Sequence, residues 1–346
     1  MRTELLRALA GSAFLIANVF AQHAVVATTP DLGSLCRAVG GDLATVTSLA
    51  RGPEDPHFVE ARPSMVRSLR TAEVLVEVGR ELEIGWLSVL VDAARNGAIG
   101  NGAKGRIDAS SAVRLLGVPT GTVDRSQGDV HAQGNPHFLV DPLCGLQVAA
   151  LLRDRFTALW PAERERFAAN FTKLREQLAV AMVGAELAAK YDHDAERLAL
   201  AFGAGRLEQV LRDGGDLGRL GGWFGAMAPL RGTPVVADHD VWPYFAERFG
   251  VRVVGFLEPK PGVSPTTAHL EELAGRMRDE KVRAILASPF FPPQHAERLQ
   301  RATGAKIVPM LHQAGAMPGV DDYVPFVDAN VRALVTALAP AVEGKR

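Results

Sequence analysis

The stretch HAVVATTPDLGSLCRAVGGDLATVTSL, residues 23–49, decides the fold class of this chain. It opens with a strand-forming run at residues 23–29, and a helix-forming stretch follows that Asp31 can cap and that runs to Val39. It closes with a second strand-forming run, residues 45–49. Strand, helix and strand in close succession form the repeating unit of parallel α/β layers. The segment therefore predicts an α/β fold with a parallel sheet.

The same alternation extends along most of the chain. A helix at residues 64–71, a strand at 74–78 and an amphipathic helix at 81–95 complete a first lobe that we expect to end near Pro142. Two long helix-favouring stretches come next, at residues 142–160 and 161–191. Further strands follow at residues 234–237, 251–257, 282–287 and 306–311. We expect two α/β lobes with parallel sheets, residues 22–142 and 194–346, joined through a helical region, residues 143–193, whose long helix acts as a stiff strut.

Length and charge narrow the class of protein. At 346 residues the chain is long enough for two domains of about 150 residues each. Its composition, 47% apolar and 22% charged, is that of a soluble globular protein. The net charge is −1 and no basic cluster alternates with aromatic residues, so we expect no nucleic-acid partner.

The first 21 residues have the pattern of a secretory signal peptide. Arg2 and Arg7 lie around a short polar start, and an apolar run ends near a permissive cleavage position at Ala21. This run is shorter than the roughly 20 apolar residues that cross a membrane. A buried first helix is the alternative. The pattern favours export to the periplasm.

The two cysteines, Cys36 and Cys144, leave two interpretations open. In an oxidising compartment the pair can form a disulfide, whereas two buried free thiols fit the sequence equally well. Neither cysteine directly follows the apolar run, where a lipid-anchored exported protein carries one. We therefore expect a protein free in the periplasm.

Three histidines are the candidate metal ligands. His57, His137 and His239 each follow a predicted strand, at the edge where open α/β sheets present ligand sites. Two belong to the first lobe and one to the second, so a shared ion lies in the cleft between the lobes. Neutral imidazole is a preferred Zn²⁺ ligand, and a proline before each of the first two rings restricts the backbone. A ligating ring usually donates its other N–H to an oxygen, for which the neighbouring acids are candidates: Asp55, Asp141, Asp238 and Asp240.

The segments around these histidines resemble a known family, the metal-binding receptors of zinc and manganese ABC importers, which includes the zinc-uptake and treponemal-type receptors. The resemblance covers nearly the whole chain after the leader and is most specific in GPEDPHFVEARPS (52–64), GNPHFLVDP (134–142) and ADHDVWPYF (237–245), with EPKPG (258–262) in support. It implies two α/β lobes joined by a long helix, an interlobe metal site and delivery of the ion to a membrane permease. It implies a monomer, and it leaves open a periplasmic metal chaperone as a further partner.

The fourth ligand is where the sequence departs from this family. Its members usually supply a carboxylate from the loop after the last strand, but the loop at residues 311–317 contains no acid. His312 is the nearest residue able to bind a metal, and Glu258 or a water are the other candidates. Several zinc receptors of the family also carry a His-rich loop before the second ligand. The corresponding residues 123–134 contain only His131.

The ligand set favours zinc as the bound ion. Manganese sites prefer oxygen donors, whereas a set rich in imidazole and poor in carboxylates favours Zn²⁺ over Mn²⁺. A zinc-dependent hydrolase or lyase is the main alternative, because three histidines and a water also form a catalytic site. The sequence has no HExxH helix and no nucleophile elbow, and only Glu54 and Glu258 are candidate bases. We therefore expect a metal receptor and not an enzyme.

Overall fold

The computed structural model describes residues 22–119, 131–260 and 262–339. The signal peptide predicted at residues 1–21 lies outside the described residues. Two four-stranded parallel sheets form the framework, with strand orders β2-β1-β3-β4 and β6-β5-β7-β8. The predicted α/β class with parallel sheets is confirmed.

The first sheet and its helices occupy the chain up to residue 112. Its strands are β1 (His23–Ala27), β2 (Ala44–Ser48), β3 (Val74–Glu77) and β4 (Arg106–Asp108), and its helices are α1 (Pro30–Gly40), α2 (Pro63–Thr71) and α3 (Leu87–Ala94). Asp31 lies inside helix α1 and does not cap it as predicted: Pro30 takes the first helical position and Thr29 precedes it in an extended conformation. Strand β4 was not predicted.

The amphipathic helix predicted at residues 81–95 begins only at Leu87. Arg80 and Glu81 adopt left-handed backbone conformations, with φ of 52° and 69°, and such residues cannot continue a right-handed helix. Residues 80–86 form successive turns instead. The prediction was wrong over this part.

The helical region between the sheets consists of several helices. It contains α4 (Pro142–Leu159), α5 (Arg164–Val183), α6 (Ala185–Lys190), α7 (Ala195–Gly203), α8 (Leu207–Asp213) and α9 (Gly222–Met227). The predicted unbroken helix at residues 161–191 is interrupted at Gly184, whose φ of 86° is typical of glycine at a helix end. The longest helix of the described residues is therefore α5, with 20 residues and a length of about 30 Å.

The second sheet repeats the layout of the first. Its strands are β5 (Pro234–Ala237), β6 (Arg252–Phe256), β7 (Ala284–Ala287) and β8 (Lys306–Pro309), with helices α10 (Pro243–Phe249), α11 (Thr267–Asp279), α12 (Gln294–Thr303) and α13 (Tyr323–Leu338).

A single apolar core joins the two sheets. In β1, Val25 faces this shared core and Val26 faces a separate outer cluster; in β5, Val235 and Val236 divide in the same way. Both faces of the central strands are thus buried, which explains why β1, β3, β5 and β7 contain apolar runs. The lobes meet across packed side chains.

Buried polar contacts also connect the lobes. Arg248 of α10 donates to both carboxylate oxygens of Asp141 at 2.8 and 2.9 Å, and all these groups are buried. The amide of Gln313 donates to the carbonyl oxygens of Arg51 and Gly52 at 2.9 and 3.0 Å. A Cβ added at Gly52 would lie 1.9 Å from the backbone of Gly315, so the two backbones touch there. These contacts hold the first-lobe loop against the second lobe.

Cys36 and Cys144 are buried free thiols. Burial raises the pKa of Cys36 to about 12, so this thiol is unreactive near neutral pH. Of the two interpretations of the pair, the structure shows free thiols.

Candidate metal centre

His57 lies in the loop after β2 and is held by a turn of its own sequence. The Asp55 carboxylate accepts hydrogen bonds from the His57 backbone N–H at 2.9 Å and from ring atom Nδ1 at 2.7 Å. Pro56 is buried between them, and its carbonyl accepts from Trp86 Nε1 at 2.9 Å. With Nδ1 engaged, the ring presents Nε2 to the cleft.

His137 is positioned by the same kind of hydrogen bonding from the residue two positions earlier. Asn135 Oδ1 accepts from the His137 backbone N–H at 2.9 Å and contacts Nδ1 at 3.0 Å. The two first-lobe histidines thus share one local arrangement: an Asp or Asn, a proline and a histidine, in which the first side chain binds the backbone and ring of the third residue. In His137 the Nε2 atom is buried and has no hydrogen-bond partner.

His239 comes from the second lobe, directly after β5. Its Nδ1 atom lies 2.8 Å from Glu258 Oε2, and Glu258 follows β6 at the same edge of the sheet. The backbone N–H of His239 donates to Asp238 Oδ1 at 2.7 Å. This ring is 6% exposed, so it is fixed by burial as well as by its hydrogen bonds.

The three rings meet in the cleft. One candidate ligand atom from each of His57, His137 and His239 lies within 4.8 Å of the other two. The ring centroids are 5.1 to 6.0 Å apart, and the His239 ring is nearly perpendicular to the other two. Because each Nδ1 contacts an oxygen, Nε2 is the candidate ligand atom of each ring for one shared cation.

Proton affinity differs between the rings. Burial, together with the charges of the neighbouring histidines, holds the pKa of His137 well below its usual value, so this ring is neutral at pH 7. Burial also opposes protonation of His239, but the hydrogen bond and charge of Glu258 outweigh it and raise the pKa of His239 above 6.5. A cation therefore competes with a proton more at His239 than at His137.

The other predicted site residues lie outside this group. His312 Nε2 is 3.0 Å from the Glu54 carbonyl oxygen, and burial lowers the pKa of His312 to about 4. Glu258 is engaged with His239. Of the four acids considered as partners for the rings, only Asp55 has this role: Asp141 binds Arg248, Asp238 binds backbone N–H groups, and Asp240 accepts from Asn135.

Sequence reasoning did not assign His131 to the site. Its Nε2 atom lies 3.1 Å from Nε2 of His57, and the two rings stack with centroids 5.2 Å apart. Burial and the charges of His57 and His239 lower the pKa of His131 to about 3. The available signal was its position as the single histidine of the segment that is His-rich in several zinc receptors.

A cavity of about 190 Å³ adjoins the rings. Its lining includes His131, His137, His239 and Glu258. This volume is below the roughly 300 Å³ at which pockets for organic ligands begin. The cleft suits an ion and its water molecules.

Among the described residues, no helix has both the length and the hydropathy needed to cross a membrane.

Known proteins share this architecture. The ZnuA protein of the high-affinity zinc uptake system of Yersinia pestis is 23% identical over 353 residues, which covers 96% of this chain and 97% of that protein. The zinc-binding lipoprotein AdcA of Streptococcus pneumoniae is 21% identical, over 93% of this chain and 58% of its own length.

Solved structures show the same fold. A crystal structure of ZnuA superimposes with a TM-score of 0.66 at 19% identity, covering 91% of this chain and 99% of the other. The Mn-bound periplasmic metal binding protein from Candidatus Liberibacter asiaticus gives a TM-score of 0.64 at 16% identity, with coverage of 91% and 99%. The model of the family described as zinc-uptake complex component A, periplasmic, matches residues 25–193 and 222–337. Because this match spans most of the sequence, the chain belongs to the ZnuA family of periplasmic zinc-uptake components.

Proposed function

We propose that this chain captures Zn²⁺ between its lobes with His57, His137 and His239 and delivers the ion to the permease of an ABC-type importer. The observation that supports this most is the convergence of three Nε2 atoms whose Nδ1 partners are already in place. A metal-ligating histidine almost always has such a partner. The chain is thus organised for a cation before one arrives.

The donor set favours zinc over manganese. Imidazole nitrogen suits Zn²⁺, whereas Mn²⁺ prefers carboxylate and carbonyl oxygen. The two carboxylates nearest the rings, Asp55 and Glu258, are engaged by Nδ1 atoms. Their charge favours binding of a divalent ion without supplying an oxygen ligand.

Binding without turnover fits the same geometry. A hydrolase would need a free carboxylate or another base beside a metal-bound water. Glu54 is paired with Arg62 at 2.6 Å, and Glu258 is occupied by His239. The cavity is also small for an organic substrate.

Export and assembly complete the proposal. Residues 1–21 act as the signal peptide, residues 22–142 and 194–346 form the lobes, and residues 143–193 form the helical region between them. The exported protein works as a monomer in the periplasm, where the permease is its partner and a metal chaperone can supply the ion. The family match and the relatives named for zinc uptake support this.

Calorimetric titration tests the function directly. The metal-stripped chain from Gln22 onward is titrated with Zn²⁺ and with Mn²⁺, alongside His137→Ala and the control His193→Ala in the turn after α6. We expect one tightly bound zinc ion per chain, weaker manganese binding, and loss of tight binding in His137→Ala only. Stronger binding of manganese than of zinc, or native binding by His137→Ala, would contradict the proposal.

A further inference from the structure

We infer that His131 is the fourth metal ligand and that the turn at residues 79–83 is a positioning element that sets how fast the ion is released. This inference rests on the proposed function, since it assigns the remaining coordination position of the same site. The observation that supports it most is the short distance between the His131 and His57 rings, together with the hydrogen bonds that hold the segment containing His131.

The spacing of the two Nε2 atoms fits a shared zinc ion. Two nitrogen ligands at about 2.0–2.1 Å from a tetrahedral Zn²⁺ lie roughly 3.3 Å from each other. The His57 and His131 Nε2 atoms are 3.1 Å apart. The His131 ring centroid is 5.9 Å from that of His137, and His131 lines the same cavity as His137 and His239. His131 lies outside the group of three rings whose ligand atoms are within 4.8 Å of one another, so in this inference it closes onto the ion from the side of His57. His312, by contrast, has its Nε2 atom on the Glu54 carbonyl.

The turn at residues 79–83 holds the start of the His131 segment. Glu81 Oε2 accepts from the Ala132 backbone N–H at 3.1 Å, and Arg80 Nη1 lies 3.4 Å from Gln133 Oε1. The residues that contact this segment are thus adjacent to each other in the chain.

The turn itself is strained and is held by a buried carboxylate. Arg80 and Glu81 both have positive φ, a strained conformation for a residue with a side chain. Glu83 is buried below the turn and accepts from the backbone N–H groups of Val78 and Gly79 at 2.7 and 3.1 Å. Arg80 Nε donates to Ser110 Oγ at 2.9 Å. Such strain persists where the surroundings fix the conformation, and here the conformation directs Glu81 and Arg80 toward the His131 segment.

The other end of the segment is fixed independently. The Asn135 backbone N–H donates to the Leu116 carbonyl at 2.9 Å, and its side chain holds His137. One short segment therefore carries two imidazoles into the cleft, one supported by Asn135 and the other by Glu81. Because Glu81 does not touch the ion, its effect is on the geometry and persistence of His131 at the site.

The test combines Co²⁺ spectroscopy with zinc release. The chain from Gln22 onward is compared with His131→Ala, Glu81→Ala and the exposed-site control Glu60→Ala. Visible absorption of the Co²⁺ forms reports the donor set, and mixing the zinc forms with a chromophoric chelator gives the release rate. We expect His131→Ala to bind one ion with altered bands and release zinc at least about tenfold faster. Free imidazole should restore its native bands, which a purely structural role would not allow.

Glu81→Ala separates positioning from ligation. We expect it to keep the native Co²⁺ bands but to release zinc about tenfold faster, while Glu60→Ala behaves as the native chain. Native bands and release rate in His131→Ala would overturn the inference, and a native release rate in Glu81→Ala would overturn its positioning part. If His57→Ala and His239→Ala also bound zinc normally, the proposed function itself would be wrong; if they lost binding while His131→Ala kept the native bands and release rate, only this inference would fail.

Discussion

The two lobes share the same strand order but carry different side chains at equivalent positions at the ends of their strands. After β1, the Thr28 N–H donates to Val76 of β3; after β5, the Asp238 N–H donates to Leu286 of β7. The neighbouring strands continue the correspondence, because Ala50 donates to Thr28 and Glu258 donates to Asp238. His239 and Glu258 therefore occupy the places that Thr29 and Ala50 occupy in the first lobe.

This difference shows how each lobe obtains its ligands. The second lobe places an imidazole directly on the edge of its sheet and supports it with a carboxylate from the adjacent strand. The first lobe has a small hydroxyl residue there, and its imidazoles come from loops in which an Asp or Asn precedes a Pro-His pair. The framework is common to both lobes, whereas the ligand residues differ between them.

Removal of His239 should have the largest effect, because the first lobe has no substitute for it. We expect His239→Ala to lower zinc affinity by at least about 100-fold, since loss of a ligand exceeds the 10–100-fold cost of losing an outer partner. Competition with a chelator of known affinity measures this loss. A change below about tenfold would show that the first lobe binds the ion alone.

The second-largest effect is expected from removing the carboxylates that bind the Nδ1 atoms of the ligating rings. We expect Glu258→Ala and Asp55→Ala each to lower zinc affinity by about 10–100-fold, because each frees the Nδ1 atom of a ligating ring. The same chelator competition compares them. The exposed Glu60→Ala is the matched control, and equal affinities in all three variants would show that the outer carboxylates have no role.

Acidity should act on His239 before it acts on His137. The pKa of His239 is raised, so below it a proton occupies this ring, and zinc affinity should fall by about tenfold per pH unit as one proton competes. The pKa of His137 is lowered, so this ring stays neutral there and contributes no such dependence. Affinities measured between pH 5.5 and 8 test this. Glu258→Gln should shift the dependence to lower pH, and an unchanged profile in that variant would contradict the assignment.

The smallest effect is expected at the remaining cleft histidine of the second lobe. We expect His312→Leu to change zinc affinity less than about threefold, because Nε2 of His312 is occupied by the Glu54 carbonyl. Gln313 also donates to this carbonyl at 2.9 Å, so it keeps a partner in the variant. A loss comparable to that of His239→Ala, measured by the same titration, would make His312 a ligand.

Much of this framework could be predicted because apolar strands buried on both faces are easily recognised. Strand β4 was missed because it has three residues, of which only Ile107 is buried. The start of α3 was misplaced because the left-handed conformations of Arg80 and Glu81 leave no mark on residue type.

The site was predictable in part for similar reasons. The Asp55–His57 and Asn135–His137 contacts are local and can be inferred from residue spacing. The Glu258–His239 contact requires the pairing of β5 with β6, and the Glu81–Ala132 contact joins residues 51 positions apart. These pairings depend on the tertiary fold, so the supports of His239 and His131 emerged only from the structure.

The most direct test of the central claim is a crystal structure of the zinc-loaded protein with anomalous scattering recorded on both sides of the zinc absorption edge. We predict one zinc peak between the lobes at about 2.0–2.1 Å from Nε2 of His57, His137 and His239. A peak bound by only one lobe, or one that excludes His239, would contradict the account.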